Sequence, residues 1–194
     1  MKERIIFLDI DGVLNYSAYF HSKEYSKNQD QICKRNLFWV GLLCRLFKAK
    51  VVLSSSWRFG WDEYGEAHRY KEVDQGFRNK GINIISITAS GALTLQNNYE
   101  LDEQKLDAWC SRPAAKGLEE VRDREFVLKY CRGTQIMDWI ESHNYKGKYI
   151  ILEDDYQDVE FYKDLAKRLV ITSYYDKRGG FGFKHFLKAL KMLM

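Results

Sequence analysis

The sequence contains little proline and no stretch that is typical of a flexible linker. Its 194 residues include a single proline, and no glycine- or serine-rich tract interrupts them. Hydrophobic residues make up 45% and aromatic residues 15% of the chain, which is a globular composition and excludes a disordered protein. A chain of this length can bury one substantial core. We therefore predict a single domain over residues 1–194.

Paired cysteines and long apolar runs are also missing. The four cysteines show neither CxxC spacing nor a histidine at zinc-site spacing, which argues against a disulfide framework and a zinc knuckle. No run approaches the roughly 20 apolar residues of a membrane span, and the N-terminal segment reaches Asp9 before a signal peptide could form. The sequence thus predicts buried thiols in a cytoplasmic protein that does not interact with membranes.

The charges of the chain are close to balance. Lysine and arginine number 31 against 27 aspartate and glutamate residues, and the formal net charge is +4. This small excess favours anionic partners only mildly, and no protein partner is evident from it. The substrate must therefore be inferred from local motifs.

Strand and helix patterns alternate along the chain. Short apolar runs typical of buried parallel strands lie at 5–8, 51–53, 82–87, 149–152 and, more weakly, 169–171. Helical patterns lie at 32–47, about 66–80, 134–143, 158–167 and 183–192. The alternation predicts an α/β fold with a parallel sheet, helices on both faces and ligands at the carboxyl ends of the strands. Segments at about 15–31 and 88–130 fit poorly and are predicted to be small insertions near the site.

Two acidic residues follow the first predicted strand in the motif FLDIDGVLN. Because side chains alternate along a strand, Asp9 and Asp11 project to the same side where the sheet opens. Adjacent carboxylates repel each other unless a divalent cation lies between them or one is protonated, and either condition serves phosphoryl transfer. A solvated acidic turn is the alternative explanation for this motif alone.

Further polar residues follow the other predicted strands. The second strand ends in LSSSWR, where Ser54, and after it Ser55, can bind phosphate oxygens, although serines after a strand are usually turn residues. Lys129 and Arg132 stand before a helix, where a cation strengthens an anion site. The fourth strand ends in EDD, residues 153–155. Asp154 and Asp155 are its candidate metal ligands, with Glu153 a substitute or a neighbour.

The order of these motifs resembles the haloacid dehalogenase (HAD) superfamily of phosphatases and phosphotransferases. DIDGVLN is similar to its DxDG signature, Ser54 to its strand-two Ser/Thr, Arg132 to its cationic motif, and EDD to its terminal acidic motif. Together with LSSSWR, RGTQIMDWI and the late GFGFKHFLKAL, these motifs are similar to HAD domains found with Swiss Army knife RNA-repair proteins. The resemblance covers almost the whole chain and implies a HAD-type Rossmann-like sheet with a small insertion rather than a large cap.

The resemblance also implies a role for each residue. Asp9 would be the nucleophile that forms an aspartyl-phosphate, and Asp11 the general acid and then base. Mg²⁺ would be held by Asp9, the main-chain carbonyl of Asp11 and Asp154, with Asp155 ordering its surroundings. Ser54 and Arg132 would bind the phosphoryl oxygens. Arg132 stands where the superfamily more often has lysine, so Lys129 remains an alternative cation. The short insertions favour an open site and a macromolecular substrate such as an RNA or DNA terminal phosphate.

Other features leave alternatives open. The aromatic segment at 57–61 can stack bases or pack under its loop, and the basic and aromatic loop at 174–178 can contact nucleic acid or be ordinary surface. A receiver domain fits poorly, because its acceptor aspartate should end a later central strand and that strand ends here in serines. A P-loop NTPase is excluded because GxxxxGK[ST] is missing. The remaining rival is a non-catalytic module of the same fold that binds nucleic acid or protein.

Overall fold

The computed structural model describes residues 3–89, 99–111 and 124–194. In the order of the chain, its strands are β1 (Arg4–Leu8), β2 (Lys50–Leu53), β3 (Ile84–Ile87), β4 (Lys148–Glu153) and β5 (Leu169–Ile171). The helices found in this part of the chain are α1 (Ser17–Phe20), α2 (Lys23–Asn28), α3 (Lys34–Phe47), α4 (Lys71–Asn79), α5 (Glu103–Cys110), α6 (Arg124–Tyr130), α7 (Arg132–Ser142), α8 (Lys163–Ala166) and α9 (Phe183–Leu193). The described residues form two compact units, one containing the sheet and the other helical.

The first unit comprises residues 1–87, 147–155 and 168–194. Its five strands form an all-parallel sheet in the order β3-β2-β1-β4-β5, so that β1 lies in the centre. The apolar residues of β1 at positions 5–8 are fully buried, as expected for a parallel strand covered on both faces. These findings confirm the predicted α/β, HAD-type Rossmann-like fold.

Two long helices of the first unit bury amphipathic faces. Helix α3 buries Leu37, Val40 and Leu43 at helical spacing, and α9 buries Phe186 and Ala189. The two helices contact each other, and their buried residues belong to the same core cluster as β1. None of the helices in the described part of the chain is both long and apolar enough to cross a membrane.

The second unit comprises residues 88–146 and 156–167. A buried hydroxyl network joins its helices, because Thr134 Oγ1 contacts the Leu128 carbonyl, the Tyr162 hydroxyl and, at 3.0 Å, Cys131 Sγ. Cys131 also caps α7 by accepting a hydrogen bond from the Thr134 backbone N–H. Parts of the insertion predicted at 88–130, namely 90–98 and 112–123, lie outside the described residues.

All five predicted strands are present, but two predicted helices are shorter than expected. Helix α4 begins at Lys71 rather than near residue 66, because Tyr70 adopts a left-handed backbone and residues 61–67 form a turn closed by a bridge from Trp61 to Ala67. The helix predicted at 158–167 is reduced to α8, after a 3-10 turn at residues 156–158. The cysteines are free thiols, buried at positions 33, 44 and 131. The prediction of one domain with insertions stays a prediction.

Candidate active site

The candidate site lies at the carboxyl edge of the sheet, in the first unit, where three adjacent strands end. Leu8 of β1 is in register with Leu53 of β2 and with Leu152 of β4. The backbone N–H of Asp9 donates to the Leu152 carbonyl at 3.0 Å, and that of Ser54 donates to the Leu8 carbonyl at 2.9 Å. The residues that follow the three strands are therefore brought together by the register of the sheet.

A carboxylate cluster stands at this edge. Asp9 and Glu153 are buried and Asp154 is half-buried, and one carboxylate oxygen from each lies within 4.8 Å of the other two. Carboxylate oxygens are among the hard oxygen ligands that Mg²⁺ prefers. The chemistry of these donors therefore fits a divalent cation, and these three residues are able to hold one.

Gly12 is required by the way the β1 loop packs against the β4 loop. Its backbone has a φ of +73°, which favours glycine. A Cβ atom at this position would also lie 2.1 Å from Cγ of Asp154. The glycine of the DxDG motif thus leaves room for a carboxylate of the cluster.

The carboxylate of Asp154 is electrostatically strained without a cation. Burial raises its pKa above the usual value, and the negative charges of Asp155 and Asp11 raise it further. Hydrogen bonds from backbone N–H groups oppose this rise in pKa. A cation bound here would relieve the repulsion among these acids.

Glu153 participates in the cluster and also shapes the turn after β4. Its Oε1 accepts hydrogen bonds from the backbone N–H groups of Asp154 at 3.2 Å and Asp155 at 3.3 Å. Asp155 is exposed. The cluster found in the described part of the chain includes neither Asp11 nor Asp155, and their assignments as metal ligands stay predictions.

Asp11 is oriented by two side chains that the sequence analysis did not single out as its partners. Asn15 Nδ2 donates to Asp11 Oδ1 at 2.8 Å, and Trp57 Nε1 donates to Asp11 Oδ2 at 3.0 Å. Asn15 Oδ1 in turn accepts the backbone N–H of Gly12 at 3.2 Å, which fixes the orientation of the Asn15 amide. Each Asp11 oxygen keeps a second lone-pair site for a proton, because a carboxylate oxygen can accept two hydrogen bonds.

The two candidate serines lie at the end of β2 in different environments. Ser54 is buried directly at the sheet edge. Ser55 serves the local chain: its hydroxyl accepts the Trp57 backbone N–H at 3.3 Å, and its carbonyl accepts Arg58 Nη1 at 3.1 Å. The hydroxyl of Ser55 is thereby used as the cap of a 3-10 helix, which favours Ser54 as the phosphate ligand.

The two candidate cations belong to the second unit. Arg132 is the first residue of α7, is half-buried, and donates its backbone N–H to Asp158 Oδ2 at 2.8 Å. Lys129 lies in α6, is exposed, and places its ammonium 5.4 Å from the centre of the Tyr130 ring. Half-burial constrains a side chain more than exposure does, which favours Arg132 over Lys129, and both assignments stay predictions.

The comparison with protein families agrees with this geometry. A family model described as the HAD domain in Swiss Army Knife RNA repair proteins matches residues 5–177. The chain belongs to this family. The match covers every candidate site residue and confirms the resemblance that the motifs indicated. No curated protein matches the chain, and no solved structure matches it.

Membership in the HAD family suggests phosphatase activity and a divalent metal, which members usually use. The buried acidic cluster of Asp9, Glu153 and Asp154 is consistent with both.

The two residues that orient Asp11, Asn15 and Trp57, were not predicted from the sequence as its partners. Asn15 had a signal, because it lies within the motif DIDGVLN, four residues after Asp11. For Trp57, the signal was an aromatic residue in the loop that follows β2, four residues after Leu53.

Proposed function

We propose that this protein is a magnesium-dependent phosphomonoesterase that acts through an aspartyl-phosphate on Asp9, with a nucleic-acid terminal phosphate as its substrate. The observation that carries the proposal is the cluster of Asp9, Glu153 and Asp154 oxygens within 4.8 Å of one another at the sheet edge. The separately anchored carboxylate of Asp11 adds the acid and base that such a reaction needs.

In the first step, a carboxylate oxygen of Asp9 attacks phosphorus and the bond from phosphorus to the ester oxygen breaks. Asp11 donates its proton to the departing oxygen, which leaves as an alcohol. The hydrogen bonds from Asn15 and Trp57 keep the Asp11 carboxyl in a fixed orientation for this transfer.

In the second step, water attacks phosphorus and the bond from phosphorus to Asp9 breaks, which releases inorganic phosphate and restores the carboxylate. Asp11 accepts the proton of the attacking water. When bound by Asp9, Glu153 and Asp154, Mg²⁺ supplies positive charge that neutralises the phosphoryl oxygens. Ser54 donates a hydrogen bond to a phosphoryl oxygen, and Arg132 supplies the cation that the family resemblance assigns to it.

A nucleic-acid end as the substrate is supported by the description of the family, which names RNA repair. Short insertions predicted from the sequence favour an open site, and an open site suits a macromolecular end. Better turnover of sugar phosphates or free nucleotides than of phosphorylated ends would contradict this part of the proposal.

The test is phosphate release, with and without Mg²⁺, from 3′-phosphorylated RNA, 5′-phosphorylated RNA, the corresponding DNA ends, nucleotides and sugar phosphates. The Asp9→Asn variant should lose at least about 10⁴-fold in turnover with an unchanged fold, because an amide keeps the shape but cannot attack phosphorus. Asp164→Asn is the matched control, since the carboxylate of Asp164 is exposed and pairs with Lys167 at 3.0 Å on the surface.

An Asp9→Asn variant that stays active and metal-dependent would contradict the mechanism. Absence of phosphate release across the whole panel, with nucleic acid still bound, would favour the non-catalytic binding module instead. Circular dichroism of both variants separates a loss of chemistry from a loss of fold.

A further inference from the structure

Tyr70 has a backbone conformation that is unfavourable for a bulky residue. Its φ of 39° and ψ of 33° lie in the left-handed region, directly before α4. Its side chain does not cap the helix, and 44% of the residue is exposed. The left-handed backbone of Tyr70 is therefore explained neither by a side-chain cap nor by full burial. Strained backbone conformations of this kind are concentrated at functional positions.

The ring of Tyr70 is held by the loop that follows β2. Its centre lies 4.9 Å from that of Trp57 and 5.8 Å from that of Trp61, which is buried. A Cβ atom on Gly60 would lie 2.3 Å from Cδ2 of Tyr70, so glycine at this position makes room for the ring. The ring is thus packed against this loop, while 44% of the residue stays exposed.

The exposed ring is also close to the proposed chemistry. Trp57 packs against Tyr70 and donates its indole N–H to Asp11 at 3.0 Å. Tyr70 is therefore separated from the proposed general acid by a single side chain. A group that stacks on Tyr70 is therefore separated from Asp11 by the rings of Tyr70 and Trp57.

A groove extends from Tyr70 within the first unit. Its volume is about 800 Å³, which is the size of a small-molecule site. Three lysines line it, at positions 34, 71 and 80, against the acids Asp30 and Glu72, and Lys34 already pairs with Asp30 at 3.1 Å. A groove lined by Tyr70 and three lysines suits a single nucleic-acid strand, whose bases stack and whose phosphates are anionic.

We propose that Tyr70 is a stacking platform for the base of the phosphorylated terminal nucleotide and that the adjoining strand lies in the lysine-lined groove. The inference rests on the proposed function, since it places the terminal phosphate at Asp9. It adds a residue that discriminates nucleic-acid ends from phosphorylated sugars. Stacking tolerates any base, so the platform selects for a base and not for a sequence.

The first experiment measures binding without turnover, in the Asp9→Asn background. The probe is a single-stranded RNA whose terminal phosphorylated nucleotide carries 2-aminopurine, prepared in 3′- and 5′-phosphorylated forms. Stacking on Tyr70 should quench the fluorescence of the probe, and Tyr70→Leu should abolish the quenching and weaken binding by about 5- to 150-fold. Tyr70→Phe keeps the ring and should keep both signals.

Tyr64→Leu is the matched control, because Tyr64 belongs to the same segment and is 74% exposed. It should bind and quench as the parent does. Unchanged quenching in Tyr70→Leu, or equal losses in both leucine variants, would overturn the platform.

A second experiment needs no variant at Tyr70. The protein with Asp9 intact should prefer a phosphorylated end that carries a base over the same end with an abasic terminal sugar, mainly through a lower KM. Equal KM values would overturn the inference. The preference should disappear in Tyr70→Leu and remain in Tyr70→Phe.

The two proposals fail in different ways. Phosphate release that is lost in Asp9→Asn, combined with no quenching and no preference for a base, would overturn the Tyr70 platform alone. Quenching that depends on Tyr70, combined with no phosphate release from any end, would support the platform and overturn the phosphatase.

Discussion

The carboxylates of the first unit are positioned by a parallel sheet, whereas the predicted cation of the second unit is positioned by the start of a helix. Asp9 and Glu153 are set by the register of β1 against β4. Arg132 depends on α7, whose first turn is held by a thiol cap and by Asp158, 26 residues further along the chain. The acidic residues therefore depend on the pairing of adjacent strands, whereas Arg132 depends on contacts within the helical unit.

The substitution with the largest expected effect on stability and activity is at Gly12, in the first unit. Gly12→Ala would place a Cβ 2.1 Å from Asp154 Cγ at a φ of +73°. We expect the free energy of unfolding to fall by about 2–4 kcal/mol and phosphate release to be lost, because the cluster is displaced. Thermal unfolding and phosphate release measure the two effects.

Gly76→Ala provides the matched control for this substitution. A Cβ at Gly76 meets nothing within 4 Å, and Gly76 lies inside α4. Alanine there should be neutral or stabilise the protein by about 0.5–1 kcal/mol. Equal behaviour of the two variants would show that the sheet-edge packing is not required.

The second unit is tested at Arg132. Arg132→Ala should lower kcat/KM by about 10²- to 10³-fold with an unchanged melting temperature, because a cation on the phosphoryl oxygens acts mainly in the transition state. Arg132→Lys should recover part of this loss, since charge is retained and the planar fork is not. Steady-state kinetics on a phosphorylated RNA end provide the measurement.

Lys129→Ala decides between the two cations. If Arg132 is the phosphate ligand, the exposed Lys129 can be removed with less than about a threefold change. A large loss in Lys129→Ala together with a small one in Arg132→Ala would assign the role to Lys129.

A smaller effect on rate is expected at Trp57. Trp57→Phe keeps an aromatic ring but removes the N–H that donates to Asp11, so kcat should fall by about tenfold. Trp39→Phe is the control, because Trp39 packs against Phe183 and Phe186 away from Asp11. If kcat of Trp57→Phe equals that of the parent protein, the hydrogen bond does not serve catalysis.

The smallest effect on activity is expected at Thr134, in the second unit, where a substitution should alter stability. Thr134→Val leaves the Leu128 carbonyl and the Tyr162 hydroxyl without this partner, which should cost about 1–3 kcal/mol. For a chain of this size, that lowers the melting temperature by roughly 2–12 °C. A change below about 0.5 kcal/mol would show that the network contributes little.

The sheet and its acidic edge followed from the sequence because both rest on local patterns. Five short apolar runs, each followed by a turn, gave the strands, and alternation placed Asp9 and Asp11 at one edge. The register of Glu153 to Asp155 could not be decided in the same way. Three consecutive acids carry no local sign of which one turns inward.

The contact between Trp57 and Asp11 was beyond prediction for a different reason. Trp57 is 46 positions away from Asp11, and only the pairing of β1 with β2 brings them together. The start of α4 was missed because the left-handed backbone of Tyr70 is contrary to the preference of its residue type. Tertiary contacts decide such positions, and residue types do not reveal them.

The central place of β1 in the sheet has a consequence for how the protein loses activity. β1 has a hydrogen-bonded neighbour on each side, and its residues 5–8 are fully buried. Amide hydrogens in such a strand exchange only when the surrounding structure opens globally. The proposed nucleophile thus follows a strand in which we expect slow amide exchange, and partial opening elsewhere should leave it in place.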